Sequence, residues 1–410
     1  RIRHHGPEGS RGGLALGRSM DKDFSLMRGG PTWRLLQPLT WLFPRAHPAW
    51  LVIGLLLLLT VVPAAVLSWR AGTLLPGNVQ VPYLLDWFVI SRFLLALPLL
   101  VLVAKFSDRM LGQSIRHFSG CGVVSEESRP RFEGILAAAL RARNSFWPEL
   151  ACLLVAISPA FITHLEGAAT QLGPAQDSYW RFGVEGRVTA AGAWMETVAA
   201  PLFRFVILLW LWRFVLWTWM LWRFSRLPLA LRATHPDNAC GLAFLGLAQS
   251  RFAVLSAAGA LVICGNSLNQ MVYAGATLES FKYMIAAYII IATLILLGPL
   301  LLMSVSLART RRRDLARYDA LAQRLVQAFD VQWHQDMRSQ PDSTLLECPS
   351  PQTMADFSAV HGNIRSANII PINRWDLARM VVAAALPFAP LLFVAMSVDE
   401  LMRRMLSVLV

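Results

Sequence analysis

Long apolar runs alternate with short polar, Arg-rich segments along this chain, and the runs are too continuous to be the stripes of surface helices. The first, AWLVIGLLLLLTVVPAAVLSW (49–69), is uncharged and bracketed by Trp50 and Trp69, a placement indole rings favour at a membrane boundary. Further runs follow at 87–106, 148–165, 197–222, 252–273, 283–307 and 377–396. Each approaches the roughly 20 residues needed to cross a hydrocarbon layer about 30 Å thick. The pattern predicts an all-α, polytopic transmembrane helical bundle of about seven spans, with cytosolic helical insertions.

The basic residues fall in alternate loops. Segment 105–143 carries Lys105, Arg109, Arg116, Arg129, Arg131, Arg141 and Arg143; segment 223–251 carries Arg223, Arg226, Arg232 and Arg251; RTRRRD follows the sixth run. Loops 70–86 and 274–281 carry almost none. The positive-inside rule then predicts a cytosolic N-terminus and an external C-terminus. Four regions result: a cytosolic segment 1–48, a bundle 49–307 with an insertion at 107–147, a cytosolic helix and linker 308–375, and a seventh span with its tail at 376–410. Residues 1–19 are polar and Gly-rich, and Met20 is the expected natural start.

Two cytosolic elements have a helical period. PRFEGILAAALRARN predicts a helix near 130–144. Beyond the sixth run, Leu315, Tyr318, Leu321, Leu325, Phe329 and Trp333 recur at three- and four-residue intervals, predicting a helix that extends the span and packs on the first insertion or across an oligomer. QPDSTLLECPSPQTMADFS (340–358) is turn-rich and reads as a linker. The tail SVDELMRRMLSVLV has the spacing of an amphipathic helix on the outer surface. Its alternative is a hairpin broken at Pro387 and Pro390 that returns Arg403 and Arg404 to the cytosol.

Composition agrees: 55% of the 410 residues are hydrophobic and 15% charged, which excludes an ordinary soluble domain. The net charge of +13 would suggest nucleic acid in a soluble chain, but here it records topology, so no nucleic-acid partner is expected. The five cysteines form no C-x-x-C pair, and neither a disulfide framework nor a zinc site is expected.

Candidate chemistry lies within the spans. Arg92, Arg204, Asn266, Asn269 and Gln270 fall roughly 5 to 12 Å below the external surface at 1.5 Å per residue. Intramembrane guanidinium groups cost a few kcal/mol or more, so they face protein, water or a partner. These five residues are the candidate anion site or ion path, with Asp86 and Glu196 as counter-ions; the alternative is snorkelling or structural pairing. Arg204 and Arg213 are nine residues apart and point to opposite sides of the fourth span, which excludes a voltage-sensing stripe and sends Arg213 inward to snorkel. The tryptophans of that span read as packing.

The tripeptide His235-Pro236-Asp237 lies between two such spans. Asp237 is placed to cap a helix starting near Asn238, Pro236 to keep the preceding backbone extended, and His235 to bond a neighbouring loop. With Gly241 they form a structural elbow. A J-domain reading fails, because the loop is about 30 residues and that domain needs a soluble helical hairpin of about 70. At THPDNACGLAFL the chain resembles a group of bacterial multi-pass membrane proteins with no assigned activity, whose shared pattern is approximately T-H-P-D-x-x-G-G-L-x-F-L. The likeness extends to ARYDALAQRLVQAFDVQW and ALPFAPLLFVAMSVDELMRRML; Cys240 stands where the pattern has Gly. The resemblance implies a bacterial inner membrane and supplies no catalytic residue.

Enzyme motifs are missing: there is no H-E-x-x-H, G-x-S-x-G, Walker loop or dinucleotide fingerprint. THLEG, with His164 and Glu166, offers too few ligands for a metal. No cofactor is expected, and the partners expected are the lipid bilayer, further copies of the chain and a small ion. The first functional expectation is an oligomeric channel or transporter for a small ion, with an anion favoured. The second is a non-transporting scaffold or sensor that recruits a partner through its cytosolic helices.

Overall fold

The computed structural model describes residues 24–42, 48–158, 178–182, 187–330 and 351–395. Among them are ten helices and no strands. They are α1 (Pro31–Leu42), α2 (Pro48–Arg70), α3 (Trp87–Gly120), α4 (Arg129–Asn144), α5 (Phe146–Ile157), α6 (Ala190–Phe224), α7 (Phe244–Ala274), α8 (Leu278–Asp330), α9 (Pro351–Ser366) and α10 (Arg374–Ala395). Six of these, α2, α3, α6, α7, α8 and α10, are long and apolar enough to cross a membrane. The chain is a multi-pass helical membrane protein. The described part of the expected third span is α5, and the rest of that run, with His164 and Glu166, lies outside the described residues, as do 1–23 and the tail 396–410.

Helix α7 is the centre: 56% of its most apolar window is buried in protein, against 22% for α2, α8 and α10. Small residues make this possible. A Cβ on Gly265 would stand 2.5 Å from the Trp87 carbonyl and 1.9 Å from Ser91 Oγ, so α3 and α7 meet backbone to backbone there. At Gly259 the approach is taken by Tyr288 of α8, whose hydroxyl donates to the Ser256 carbonyl at 2.6 Å. Gln249, wholly buried, accepts from Trp217 Nε1 (2.8 Å) and donates to the Leu296 carbonyl (2.7 Å), tying α6 to α8 through the start of α7.

At the Arg-rich end, Phe118, Phe132, Phe224 and Phe244 form one aromatic cluster, with ring centroids 4.9 to 5.9 Å apart in the pairs that touch. This cluster fastens α4 to α3, α6 and α7. The predicted stripe on α8 therefore has a different partner from the first insertion. Tyr318 stacks on Phe357 of α9 at 6.2 Å, and Asp319 meets His361 at 2.6 Å. The region read as a turn-rich linker thus contributes a helix from Pro351, a residue tolerated at a first helical position because its missing N–H would have had no partner. Helix α8 is 53 residues long, about 80 Å at 1.5 Å per residue, so it projects well past any bilayer.

Candidate functional site

At the end of the bundle opposite the arginine-rich loops, one carboxylate organises three segments. Asp86 is wholly buried and precedes α3 as its N-cap. Its Oδ1 accepts from the Phe88 (2.9 Å) and Val89 (3.3 Å) amides and from Asn269 Nδ2 at 2.7 Å; its Oδ2 accepts from Tyr179 Oη at 2.6 Å and Trp180 Nε1 at 2.8 Å. Asn269 returns the bond, accepting from the Trp87 amide at 2.9 Å. Burial pushes the Tyr179 hydroxyl well above the usual phenol range; nearby Arg181 opposes the rise and Asp86 adds to it, so the hydroxyl remains a donor. The Tyr179–Trp180 loop is held in register by Val81, whose carbonyl accepts from the Trp180 amide at 3.1 Å.

Beside this hub stand two buried guanidinium groups. Arg92 is walled by the rings of Phe88, Phe93 and Phe203 at 5.2, 5.6 and 4.8 Å, and Arg181 lies over Phe88, Tyr179 and Trp180 at 5.3 to 5.6 Å. Phe88 is therefore shared between two cations, an arrangement in which ring faces replace water around the charge. Arg92 sits in a π-helical turn, Ile90–Ala96, that widens α3 where it meets α7.

The predicted polar layer is only partly one cluster. Asp86 and Asn269 are bonded directly, and Arg92 stands beside them over the Phe88 ring. The Asp86 oxygens accept from Tyr179, Trp180, Asn269 and two amides, and neither Arg92 nor Arg204 is among these donors. Arg204 turns to α5, donating to the Ala156 carbonyl at 3.0 Å, and so satisfies a last-turn carbonyl at a helix C-terminus. Asn266 and Gln270 are half-buried on α7 and outside the Asp86 set, and Glu196 is half-buried in a second π-turn, Met195–Ala199. Tyr179, Trp180 and Arg181 were missed by sequence reasoning. The signal was the compact YWR triplet, Tyr179 to Arg181.

The other end is pinned by two more buried acids. Asp108 accepts from the Leu26 and Met27 amides at 2.8 and 2.9 Å, and Glu149 from the Thr32 amide (2.7 Å) and hydroxyl (2.6 Å). Arg213 joins them: its Nη2 lies 2.9 Å from the Gly29 carbonyl and 3.4 Å from Glu149 Oε1. Arg213 is thus buried in protein rather than snorkelling to lipid, and it clamps the segment that leads into α1.

The elbow also differs from expectation. Asp237 accepts from the Ala239 (2.9 Å), Gly241 (3.0 Å) and Ala243 (3.0 Å) amides, and the helix begins at Phe244, not near Asn238. Asn238, Cys240 and Gly241 have φ of 54°, 56° and 90°, a left-handed path that explains why a glycine would suit position 240. Burial would raise the Asp237 pKa, but the amides of Ala239, Ala243 and Gly241, with His235, outweigh it and hold the carboxyl below its usual value. His235 turns back on Asp237, with Nδ1 2.9 Å from Oδ1, rather than bonding a neighbouring loop. The Ala233 amide donates to Asp314 of α8 at 2.9 Å, and the Asn368 amide to the Asn238 carbonyl at 2.7 Å, so the elbow locks α8 to the segment before α10.

Two cavities among the described residues lie away from the Asp86 hub. One is an apolar cleft of about 200 Å³ among α6, α7 and α8. The other is an open groove of about 750 Å³ between the loop at 230–234 and the 313–324 face of α8. Compared with protein-family models, with curated proteins and with solved structures, the chain matches none.

Proposed function

We propose that this chain is a non-transporting scaffold or sensor of a bacterial inner membrane, with the arginine-rich end in the cytosol. The observation that carries the reading is the closure of the opposite polar layer: Asp86 is wholly buried and holds five donors, and Arg92 is enclosed by three phenyl rings. An ion path needs groups that can exchange their bonds with a passing ion. A carboxylate committed to Tyr179, Trp180, Asn269 and two amides fixes loops instead. The recruiting surface is the projecting half of α8, where Leu321 and Val326 remain 48% and 38% exposed although α9 covers the neighbouring face.

Reconstitution into liposomes tests this. Proteoliposomes should leak halide and alkali-metal ions no faster than protein-free vesicles, and Arg92→Ala should change nothing. A conductance in the native chain that Arg92→Ala abolishes would overturn the scaffold reading. One observation favours the transport alternative, namely that one π-turn contains Arg92 and another precedes Arg204 on its helix, since such turns recur at functional sites. The same flux measurement decides between them.

A further inference from the structure

The open groove at the arginine-rich end brings basic residues of two separate segments together. Three arginines of α8, Arg313, Arg317 and Arg324, line it. At 100° per residue they point within about 40° of one another, so they form one stripe roughly 16 Å long. Arg232 faces them from the loop opposite. Arg313 is paired with Asp314 at 3.2 Å, and that acid is further committed to the Ala233 amide. Among the described residues no carboxylate pairs with Arg232, Arg317 or Arg324. With Arg313 met by Asp314, these three are the groove's charges left without a carboxylate among the described residues. The hydroxyl-bearing Thr234 and Tyr318 complete a wall suited to oxyanions.

Guanidinium groups converging from two sides select a planar or tetrahedral oxyanion with several charges, and phosphate meets that description. Depth separates its possible sources. The last large apolar residue before the arginines of α8 is Leu307. Arg313 and Arg324 lie six and seventeen residues further on, which is roughly 9 and 26 Å beyond it. The headgroup layer adds only about 5 to 8 Å on each side of the hydrocarbon. We propose that this groove binds a phosphate-bearing polyanion, taken from aqueous solution rather than from the headgroup layer. The volume of about 750 Å³ accommodates a small organic phosphate or a condensed inorganic one. The proposal rests on the scaffold or sensor reading by giving the sensor its ligand.

The test is calorimetric titration of inorganic pyrophosphate into the full chain held in zwitterionic nanodiscs. The native chain should bind, more weakly as salt rises, and the double variant Arg317→Gln/Arg324→Gln should bind at least tenfold more weakly. Arg131→Gln removes a comparable exposed charge on α4 and should bind as the native chain does. Melting curves of each variant establish that the fold is retained; these arginines are exposed, and the single Arg324→Gln variant provides a milder check. Absence of binding by the native chain overturns the proposal, as does an equal loss in Arg131→Gln, which would leave only general charge attraction. A parallel titration in nanodiscs containing phosphatidic acid separates the sources: displacement of pyrophosphate through the same arginines would make the site a headgroup site and overturn the assignment to solution. Flux through the native chain would overturn the scaffold reading and leave this binding result intact; failure of binding would do the reverse.

Discussion

Replacing Asp86 by Asn tests the hub with the smallest change of shape. Every group that contacts the carboxylate is a donor: two amides and Asn269 on one oxygen, Tyr179 and Trp180 on the other. An amide side chain brings an NH2 to one of those positions, where it can only oppose a donor. The better orientation puts it beside Tyr179 and Trp180. There the phenol can rotate and accept, but the indole N–H cannot and is left buried without a partner, at about 1 to 3 kcal/mol. The bonds that survive lose their charge assistance, which roughly halves each. The sum is on the order of 3 kcal/mol, large beside the marginal stability of folded chains. Thermal unfolding of the nanodisc-embedded protein should show a drop of several degrees for Asp86→Asn and a larger one for Asp86→Ala. Glu196→Gln, at the same end but with no comparable set of donors, should stay within about 0.5 kcal/mol of the native chain. Adding Trp180→Phe to Asp86→Asn should cost less than the two single effects summed, because it removes the stranded donor. Native-like melting of Asp86→Asn, or strict additivity with Trp180→Phe, would refute the reasoning.

Three other expectations follow from the packing. Gly265→Ala should destabilise the bundle by about 1 to 3 kcal/mol, because the new methyl meets the Trp87 carbonyl, and an unchanged melting curve would show that α3 and α7 are not in backbone contact. Cys240, whose thiol is pushed up to about 11 mainly by burial, should resist iodoacetamide at pH 8 until the chain is unfolded, whereas exposed Cys121 should label at once; equal rates, read by mass spectrometry of the peptides, would contradict the closed elbow. Because the Asp237 carboxyl is depressed in the folded chain, its stabilising effect is fully present above the ordinary aspartate value of about 3.9 and is lost as pH falls through the lower folded value. Hydrogen exchange at Ala239, Gly241 and Ala243, corrected for intrinsic rates, should therefore keep its protection down to about pH 4, and loss of protection between pH 6 and 5 would argue against this role.

The spans were legible because hydrocarbon imposes length and apolarity on each element separately, and the helix at Arg129–Asn144 because its apolar period is local. Depth was legible for Asp86 and Asn269, which are bonded to each other, and for Arg92, which stands over Phe88 beside them. Partnership was not: Tyr179 and Trp180 lie more than ninety residues from Asp86, and no local pattern states that a loop will fold back over a helix cap. The elbow shows a similar limit. An Asp before a helix suggests a cap, yet three left-handed residues interpose and the same carboxylate organises a loop. Helix α9 was hidden by the proline at its start and by its polar residues, and it packs on α8 through Phe357 and Tyr318.

The most direct test of the closed layer is water access beside Arg92. Ser91→Cys places a thiol one residue away, where Ser91 is 6% exposed and pressed against Gly265, and the native cysteines can be replaced to remove background. A membrane-impermeant, charged methanethiosulfonate reagent should leave that thiol unmodified over hours while reacting within minutes with Ser280→Cys, exposed in the first turn of α8. Modification of Ser91→Cys at a comparable rate would mean that water reaches the layer, and the account of it as a sealed structural hub would fail.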